Sequence, residues 1–199
     1  MTNWLVVGLG NPGPTYASHR HNVGFMVDDE LARRVGANWS RSAGLRSVVV
    51  RTRITAGGLG AVGAEADPVV LLKPQTFMND SGAAVAKASA YYKSQPAAVI
   101  VIHDELDLDF GQLRIKFGGG DNGHNGLKSI RSAIATGDFL RVRFGVGRPP
   151  GRKEPADYVL SPFPASLSED LGVEVGRAAD AVESLLSVGL EATQNRFNS

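Results

Sequence analysis

The chain has 199 residues, of which 43% are hydrophobic and 21% charged, and it contains no cysteine. These values fit one globular domain and exclude wholesale disorder, a disulfide scaffold, a thiolate zinc site and a cysteine nucleophile. The net charge is +1, but the charges are unevenly distributed. Residues 112–153, the basic block, hold nine Lys/Arg against two Asp/Glu, and residues 154–191, the acidic segment, hold one Lys/Arg against eight Asp/Glu. The basic block either binds a polyanion or is balanced by the acidic segment.

The first half of the chain predicts three strands and two helices. Apolar runs typical of buried strands lie at residues 4–9 and 68–73, and residues 46–55 alternate like an exposed strand. After a turn-rich stretch at residues 10–20, Asn22 is placed to cap a helix that runs to about residue 35. A second helix, capped by Asn79, Asp80 or Ser81, is predicted to run to about residue 92.

The second half continues this alternation. Strands are predicted at residues 98–103, 112–117 and 141–146, and a glycine-rich segment at 118–126 precedes a helix that ends near residue 134. Residues 148–155 form a Pro/Gly/basic loop, and Ser166 with Glu169 fits a capping box that opens a last helix to about residue 188. The pattern predicts an α/β fold over residues 1–199: a single three-layer domain whose mixed, twisted β-sheet has a parallel centre and helices on both faces. Segments 46–66 and 112–117 are expected to add the antiparallel strands.

No segment of the sequence is suited to a membrane. The longest unbroken apolar run, residues 97–102, has six residues, far fewer than the roughly 20 that cross a bilayer. No basic segment precedes the short apolar run at the N-terminus, so we expect no signal peptide. We therefore expect a cytoplasmic protein.

A glycine motif follows the first strand, but its context argues against a dinucleotide site. Residues 8–13 match G-x-G-x-x-G, a motif whose third glycine must lie inside a helix that meets the pyrophosphate. Here Pro12 and Pro14 flank Gly13, and no acidic residue stands at the end of the second strand. The loop is expected instead to position three polar residues at the carboxyl end of the strand: Asn11, Tyr16 and His21.

Two further motifs carry polar groups. The acids of residues 103–109 (H-D-E-L-D-L-D) could hold a divalent cation, but their spacing is not that of an EF-hand, and a solvated turn explains most of them. Asp104 differs, because it directly follows a predicted buried strand and is placed to face a pocket. Residues 118–126 include five glycines, whose backbone N–H groups suit an anion at the start of the next helix. A flexible turn with a His/Asn cap explains them equally well.

Polar residues at strand ends and helix starts predict a hydrolase without a nucleophile of its own. No G-x-S-x-G motif occurs, and the spacing of the four histidines matches no metal site. In an open α/β sheet, residues that follow the strands converge at the carboxyl ends. Such positions are occupied by Asn11, His21, Asn79, Asp104 and Asn125. A histidine, an aspartate and three amides there fit general-base hydrolysis with water as the nucleophile.

Taken together, the motifs resemble the bacterial-type peptidyl-tRNA hydrolase family. The resemblance runs in order through V-G-L-G-N-P-G and R-H-N (residues 6–22), K-P-Q-T-F-M-N-D-S-G (73–82), H-D-E-L-D-L (103–108), G-G-G-D-N-G-H-N-G-L-K-S-I (118–130), F-L-R-V-R-F-G-V-G-R-P (139–149) and the segment 192–197. It covers effectively the whole chain. It implies metal-independent cleavage, without a cofactor, of the ester that joins the C-terminal carbonyl of a peptide to the 3′-terminal ribose of a tRNA released from the ribosome.

The resemblance also implies a role for each matching residue. His21 is the proton acceptor, and Asp104 orients it. Asn11 helps to separate N-blocked peptidyl-tRNA from free aminoacyl-tRNA, while Asn79 and Asn125 hold the substrate and the water. Tyr16 and Phe77 line the substrate site. Contacts to tRNA phosphates are implied for Lys116, Arg143 and one of Arg152 and Lys153.

Two alternatives stay open at this point. A relative on the same scaffold could bind RNA without hydrolysing it, and an oxidoreductase could use residues 8–13 to bind a nucleotide. Binding of NAD(P) or FAD would support the second. The expected partner is peptidyl-tRNA, bound through its acceptor stem and CCA end, and we expect the protein to be a monomer.

Overall fold

The computed structural model describes residues 1–198, which form a mixed sheet with helices around it. The strands are β1 (Trp4–Gly8), β2 (Ser40–Ser42), β3 (Ser47–Thr55), β4 (Gly58–Leu59), β5 (Asp67–Pro74), β6 (Val99–Glu105), β7 (Leu113–Phe117) and β8 (Leu140–Gly145). The α-helices are α1 (Val23–Arg34), α2 (Ser81–Tyr92), α3 (Asn125–Ile134), α4 (Pro155–Val159), α5 (Ser168–Val188) and α6 (Leu190–Phe197).

The sheet has a parallel centre and antiparallel margins. Its strand order is β2-β3-β5-β1-β6-β8-β7, and β4 pairs with β3. Strands β5, β1, β6 and β8 run parallel, whereas β3 and β7 pair antiparallel to their neighbours. Both faces of the central strands are covered, which explains their uninterrupted apolar runs. The predicted mixed sheet is confirmed.

Helices cover both faces of the sheet and give the predicted three layers. Val27 and Leu31 of α1 share one core with Val182 of α5, and α2 shares a second core with α3 through Val85 and Ile130. Within the described residues, none of the helices is both long and apolar enough to cross a membrane.

Several predicted boundaries are wrong for physical reasons. Strand β6 runs to Glu105 because its pairing with β8 continues to the end of that strand, so Asp104 lies inside β6 rather than after it. The proposed capping box fails, because α5 begins at Ser168 after a 3-10 turn and has no side-chain cap. Asn22 does not cap α1 either, because its side-chain amide is bonded to the backbone of Asn11.

Three short elements were absent from the sequence prediction: β2, α4 and α6. Strand β4 lies in the segment 46–66 that was expected to add antiparallel strands, and it pairs antiparallel with β3. Helix α4 has five residues and starts with Pro155, so it is too short to show helical periodicity. Helix α6 is mostly polar, and it is held on β7 by Gln194, which donates to the Ile115 carbonyl oxygen. Asn198 follows α6 and bonds the N–H and the carbonyl oxygen of Ile115, so polar side chains complete the edge strand.

Candidate active site

His21 lies in a 3-10 turn, Arg20–Asn22, between the loop after β1 and the start of α1. Helix α1 approaches the sheet closely at Gly24, where a β-carbon would lie 2.4 Å from the Ile102 carbonyl oxygen. Only glycine permits that approach. The close contact brings His21 beside the last residues of β6, which include Asp104.

His21 and Asp104 form a buried hydrogen-bonded pair. Nδ1 of His21 lies 2.9 Å from both carboxylate oxygens of Asp104, and both residues are buried. Because a carboxylate only accepts hydrogen bonds, the proton of the neutral imidazole is on Nδ1. Nε2 is therefore left with a lone pair, which can take a proton from a bound water.

His124 is a second partner of Asp104, which the sequence analysis did not foresee. Its Nε2 donates to Asp104 Oδ1 at 2.8 Å. Its Nδ1 accepts from the backbone N–H groups of Gly126 and Leu127 and so caps α3. The tautomer of His124 is thus fixed by the helix. The sequence indicated a helix cap at His124 and Asn125, but the contact between His124 and Asp104 depends on the fold.

Burial and charge set the protonation states of this cluster. Burial opposes the charged form of His21, but the charge and hydrogen bond of Asp104 together outweigh it and raise the pKa of His21. Burial also opposes ionisation of Asp104, yet the adjoining His21 and His124 hold the pKa of Asp104 well below its usual range. Burial, helped by nearby His124, lowers the pKa of His103 to about 3. This neutral histidine donates from Nδ1 to the backbone carbonyl oxygen of Asp104.

The His21–Asp104 pair opens into a cavity of about 380 Å³. Asn125 and His124 line one side of it, and Pro155 and Val159 of α4 line another. The cavity therefore combines a base, an amide and an apolar wall.

The three predicted asparagines lie around this cavity in different positions. Asn125 lines it and also lines an adjoining groove of about 490 Å³ that contains Asn79 and Lys128. Asn11 lines neither; it borders a cavity of about 250 Å³ beside the loop after β1. Asn11 is nevertheless tied to the same region, because its Oδ1 accepts from the backbone N–H of Met78, the residue before Asn79, at 2.7 Å.

Asn22 fixes the backbone of Asn11, a role the sequence analysis missed. Its Oδ1 accepts from the Asn11 N–H at 3.0 Å, and its Nδ2 donates to the Asn11 carbonyl oxygen at 2.9 Å. Since the side-chain oxygen of Asn11 is bonded to Met78, the free side-chain group of Asn11 is its NH₂, a hydrogen-bond donor.

Tyr16 and Phe77 form an aromatic pair at the surface. Their ring centroids lie 6.2 Å apart in an edge-to-face arrangement, and Tyr16 also contacts His19. Phe77 is 57% exposed although it is a large apolar residue, so this pair offers a surface for an apolar or stacking group.

A cationic cavity of about 330 Å³ adjoins the catalytic one. Lys116, Arg141 and Arg143 line it, together with Glu105, which also lines the catalytic cavity. Glu105 holds Arg143 through contacts of 3.2–3.3 Å. Arg152 and Lys153 are exposed and line neither cavity; the Lys153 ammonium lies 5.8 Å from the Tyr158 ring centroid.

The ion pairs distinguish between the two interpretations of the basic block. Within the described residues, no ion pair joins residues 112–153 to the acidic residues 154–191. The acids of α5 instead pair with Arg34 of α1, through Asp180 and Glu183. The acidic segment therefore does not neutralise the basic block by contact.

His21, Asp104 and His124 also form a group that could hold a metal ion. Both ring N–H groups point at the carboxylate at hydrogen-bonding distance, so an ion would have to replace two protons. Metal independence stays a prediction.

Comparisons with known proteins identify the family of this chain. The family model described as peptidyl-tRNA hydrolase matches residues 5–199. Peptidyl-tRNA hydrolase of Cutibacterium acnes is 56% identical over 99% of this chain and 98% of its own length, and that of Frankia alni is 53% identical over 98% and 94%. A crystal structure of peptidyl-tRNA hydrolase from Acinetobacter baumannii superposes with a TM-score of 0.87 at 34% identity, covering 99% of this chain and 95% of that one. The chain therefore belongs to the peptidyl-tRNA hydrolase family of enzymes.

Proposed function

We propose that the enzyme cleaves the ester between the peptide and the 3′-terminal ribose of tRNA by general-base catalysis, with His21 as the base. The observation that carries this proposal is the buried His21–Asp104 pair, which leaves Nε2 of His21 free beside the cavity. An ester is an activated acyl group, so a positioned water and a base suffice without a nucleophilic side chain.

In the proposed reaction, Nε2 of His21 takes a proton from water while the water oxygen attacks the ester carbonyl carbon. The tetrahedral intermediate collapses, the bond from carbon to the ribose oxygen breaks, and the imidazolium returns its proton to that oxygen. The products are a peptide carboxylic acid, which loses its proton to solvent, and a tRNA with its terminal hydroxyl restored. General-base assistance of this kind contributes about 10²–10⁴-fold.

The three asparagines are proposed to orient the reactants. Asn11 presents its NH₂ as a donor to the N-blocked peptide, because its oxygen is bonded to Met78. Asn79 and Asn125 share one groove, and we assign them to the substrate and the water. An amide that donates to the developing oxyanion contributes on the order of 10²–10³-fold. Tyr16 and Phe77 are proposed to line the substrate site with an apolar surface.

Phosphates of the acceptor stem are proposed to bind at Lys116 and Arg143, with Arg152 or Lys153 adding a contact further along the stem. Lys116 and Arg143 line the cavity next to the catalytic one, so an RNA end could reach both cavities at once. Phosphate contacts position a nucleic acid without reading its sequence, which suits an enzyme that acts on many tRNAs.

We further propose that residues 1–199 act as one domain and as a monomer. One sheet unites strands from both halves of the chain, and the proposed catalytic residues all come from a single copy. Peptidyl-tRNA forms where ribosomes work, so the proposal places the enzyme in the cytoplasm.

The test compares N-acetylated aminoacyl-tRNA with unblocked aminoacyl-tRNA, with and without EDTA, for the wild-type protein and His21→Ala. We expect release from the blocked substrate alone, no effect of EDTA, and loss of at least about 100-fold in turnover in the variant. Turnover by His21→Ala near the wild-type rate would refute the role of His21. Tight tRNA binding without release would indicate a non-catalytic RNA-binding relative.

A further inference from the structure

Arg20, the residue before His21, is a buried cation without a carboxylate partner. It is only 8% exposed, and in the part of the chain that the structure describes no Asp or Glu lies within ion-pair distance of it. A buried charge without a counterion is unfavourable unless other groups compensate it. Its surroundings therefore have to supply that compensation.

Oxygen atoms and aromatic rings of residues 158–163 compensate this charge. Nη1 of Arg20 donates to Ser161 Oγ at 2.7 Å, to the Pro162 carbonyl oxygen at 2.9 Å and to the Ser161 carbonyl oxygen at 3.3 Å. The guanidinium carbon lies 4.0 Å from the Tyr158 ring centroid and 5.5 Å from that of Phe163. A planar guanidinium lies against a ring while its Nη1 donates hydrogen bonds, an arrangement that an ammonium, which has no flat face, does not reproduce.

The backbone reinforces the same connection. The Arg20 N–H donates to the Ser161 carbonyl oxygen at 3.1 Å, and the Phe163 N–H donates to the Ser18 carbonyl oxygen at 3.3 Å. His19 and Pro162 form an isolated antiparallel bridge. These hydrogen bonds thus hold the turn that carries His21 against the segment after α4.

The segment that contacts Arg20 includes part of α4, which forms a wall of the catalytic cavity. Tyr158 belongs to α4, whose Pro155, Ala156 and Val159 line the cavity that contains His21. The Tyr158 hydroxyl donates to the Val146 carbonyl oxygen at 3.0 Å, which ties α4 to the end of β8. Arg20 lies where the wall and the turn of the proposed base meet.

We propose that Arg20 is a positioning residue that sets the distance between the α4 wall and His21, so that a substrate seated against the wall is aligned with the base. Arg20 itself touches no reacting atom. The inference rests on the proposed function of His21, and the two can fail separately, because His21→Ala in the same assay tests that function by itself.

The first test measures kcat and KM of Arg20→Lys and Arg20→Ala on N-acetylated aminoacyl-tRNA, with Arg33→Lys as a matched control on the exposed side of α1. We expect kcat/KM to fall roughly 10- to 100-fold in both Arg20 variants, the scale that misplacement by about 1 Å produces, and to stay unchanged in the control. In Arg20→Lys, the pH at which activity is half lost on the acid side should match the wild type, because the positive charge and the His21–Asp104 pair are both kept. Methylguanidinium, but not methylammonium, should partly restore Arg20→Ala.

The second test removes the aromatic support and leaves Arg20 in place. Tyr158→Leu deletes the ring beneath the guanidinium and should lower kcat/KM, whereas Tyr158→Phe keeps the ring and should lower it less. Wild-type kcat and KM in Arg20→Lys, a shifted acid limb in Arg20→Lys, or equal defects in the two Tyr158 variants would each overturn the proposal. A wild-type protein that releases nothing would instead refute the proposed function.

Discussion

At the residue scale, the site depends on one carboxylate that accepts two histidine N–H groups. Asp104 accepts hydrogen bonds from His21 Nδ1 and from His124 Nε2. The backbone N–H groups at the start of α3 occupy the other nitrogen of His124, so that ring cannot change its tautomer without losing the cap. The arrangement directs the lone pair of His21 away from Asp104, where a water can reach it.

Loss of His124 is expected to move the acid limb of the pH–rate profile upward. In His124→Ala the Asp104 carboxylate loses a donor, so its charge stabilises protonated His21 more strongly and raises the pKa of His21 further. The helix cap is lost as well, which lowers the free energy of unfolding by about 1 kcal/mol. The pH dependence of kcat/KM and urea unfolding measure the two effects. An unchanged acid limb would show that His124 acts only as a cap.

At the element scale, the spacing of α2 and α3 controls the groove that holds Asn79 and Asn125. The helices touch at Gly82, where a β-carbon would lie 2.1 Å from the Ser129 carbonyl oxygen, and the Gly82 N–H donates to Ser129 Oγ. This contact leaves no room for a side chain. The two asparagines at the starts of these helices therefore depend on a glycine that lies outside the site.

Gly82→Ala is expected to lower the free energy of unfolding by about 1–3 kcal/mol, because the helices must separate. It should also raise KM by widening the groove. Gly172→Ala is the matched control, since a β-carbon there meets nothing within 4 Å; relief of glycine flexibility inside α5 should stabilise the protein by up to about 1 kcal/mol. Urea unfolding tests both. Equal stability of Gly82→Ala and the wild type would contradict the packing argument.

The elements that the sequence predicts well are those whose signal is local. The apolar runs of β1, β5 and β6 mark buried parallel strands, and the alternation in β3 and β7 marks the antiparallel margins. Helices α4 and α6 are missing from the prediction because one is too short for periodicity and the other is held by tertiary contacts of Gln194 and Asn198.

The site follows the same division between local and tertiary signals. Asn11, His21 and Asn125 are predictable as a set, because they stand beside strand ends or helix starts and the fold brings such positions to one edge. The partnership of His124 with Asp104 is not predictable, because the local sequence indicates only that His124 caps a helix. The partnership of Asn22 with Asn11 is not predictable either, because the sequence favours a helix cap that the Asn22 side chain does not form. Both contacts form only when separate segments of the chain come together in the fold.

At the scale of the whole molecule, the charges are divided between two regions. Two acids of α5, Asp180 and Glu183, form ion pairs with Arg34 of α1. Among the cations of the basic block, Arg131, Arg143 and Arg148 pair with acids of residues 105–121, and Lys116 has no ion pair among the described residues. A nearly neutral chain thus retains a local positive field beside the catalytic cavity.

Removal of these cations is expected to weaken tRNA binding in a salt-dependent manner. Lys116→Ala and Arg143→Ala should raise KM, leave kcat nearly unchanged, and each reduce the slope of log KM against log salt by about one. Arg143→Ala should also be less stable, because it leaves buried Glu105 without its cation. Arg41→Ala, on β2 at the opposite edge of the sheet, is the control. Defects confined to kcat and independent of salt would contradict phosphate binding.

The central claim is that Asp104 makes His21 the base, and Asp104→Asn tests it most directly. A general base works unprotonated, so activity falls as the pH drops through the pKa of His21, which Asp104 raises. Asparagine at position 104 removes the negative charge, so burial then lowers the pKa of His21. Its side chain also has only one oxygen to accept hydrogen bonds from the N–H groups of His21 and His124.

The measurement is the pH dependence of kcat for the wild type, Asp104→Asn and the exposed control Asp109→Asn, with thermal unfolding to verify the fold. We predict that Asp104→Asn loses at least about 100-fold in kcat and that its acid limb moves to lower pH, while the control matches the wild type. A folded Asp104→Asn with wild-type kcat and an unmoved acid limb would contradict the account.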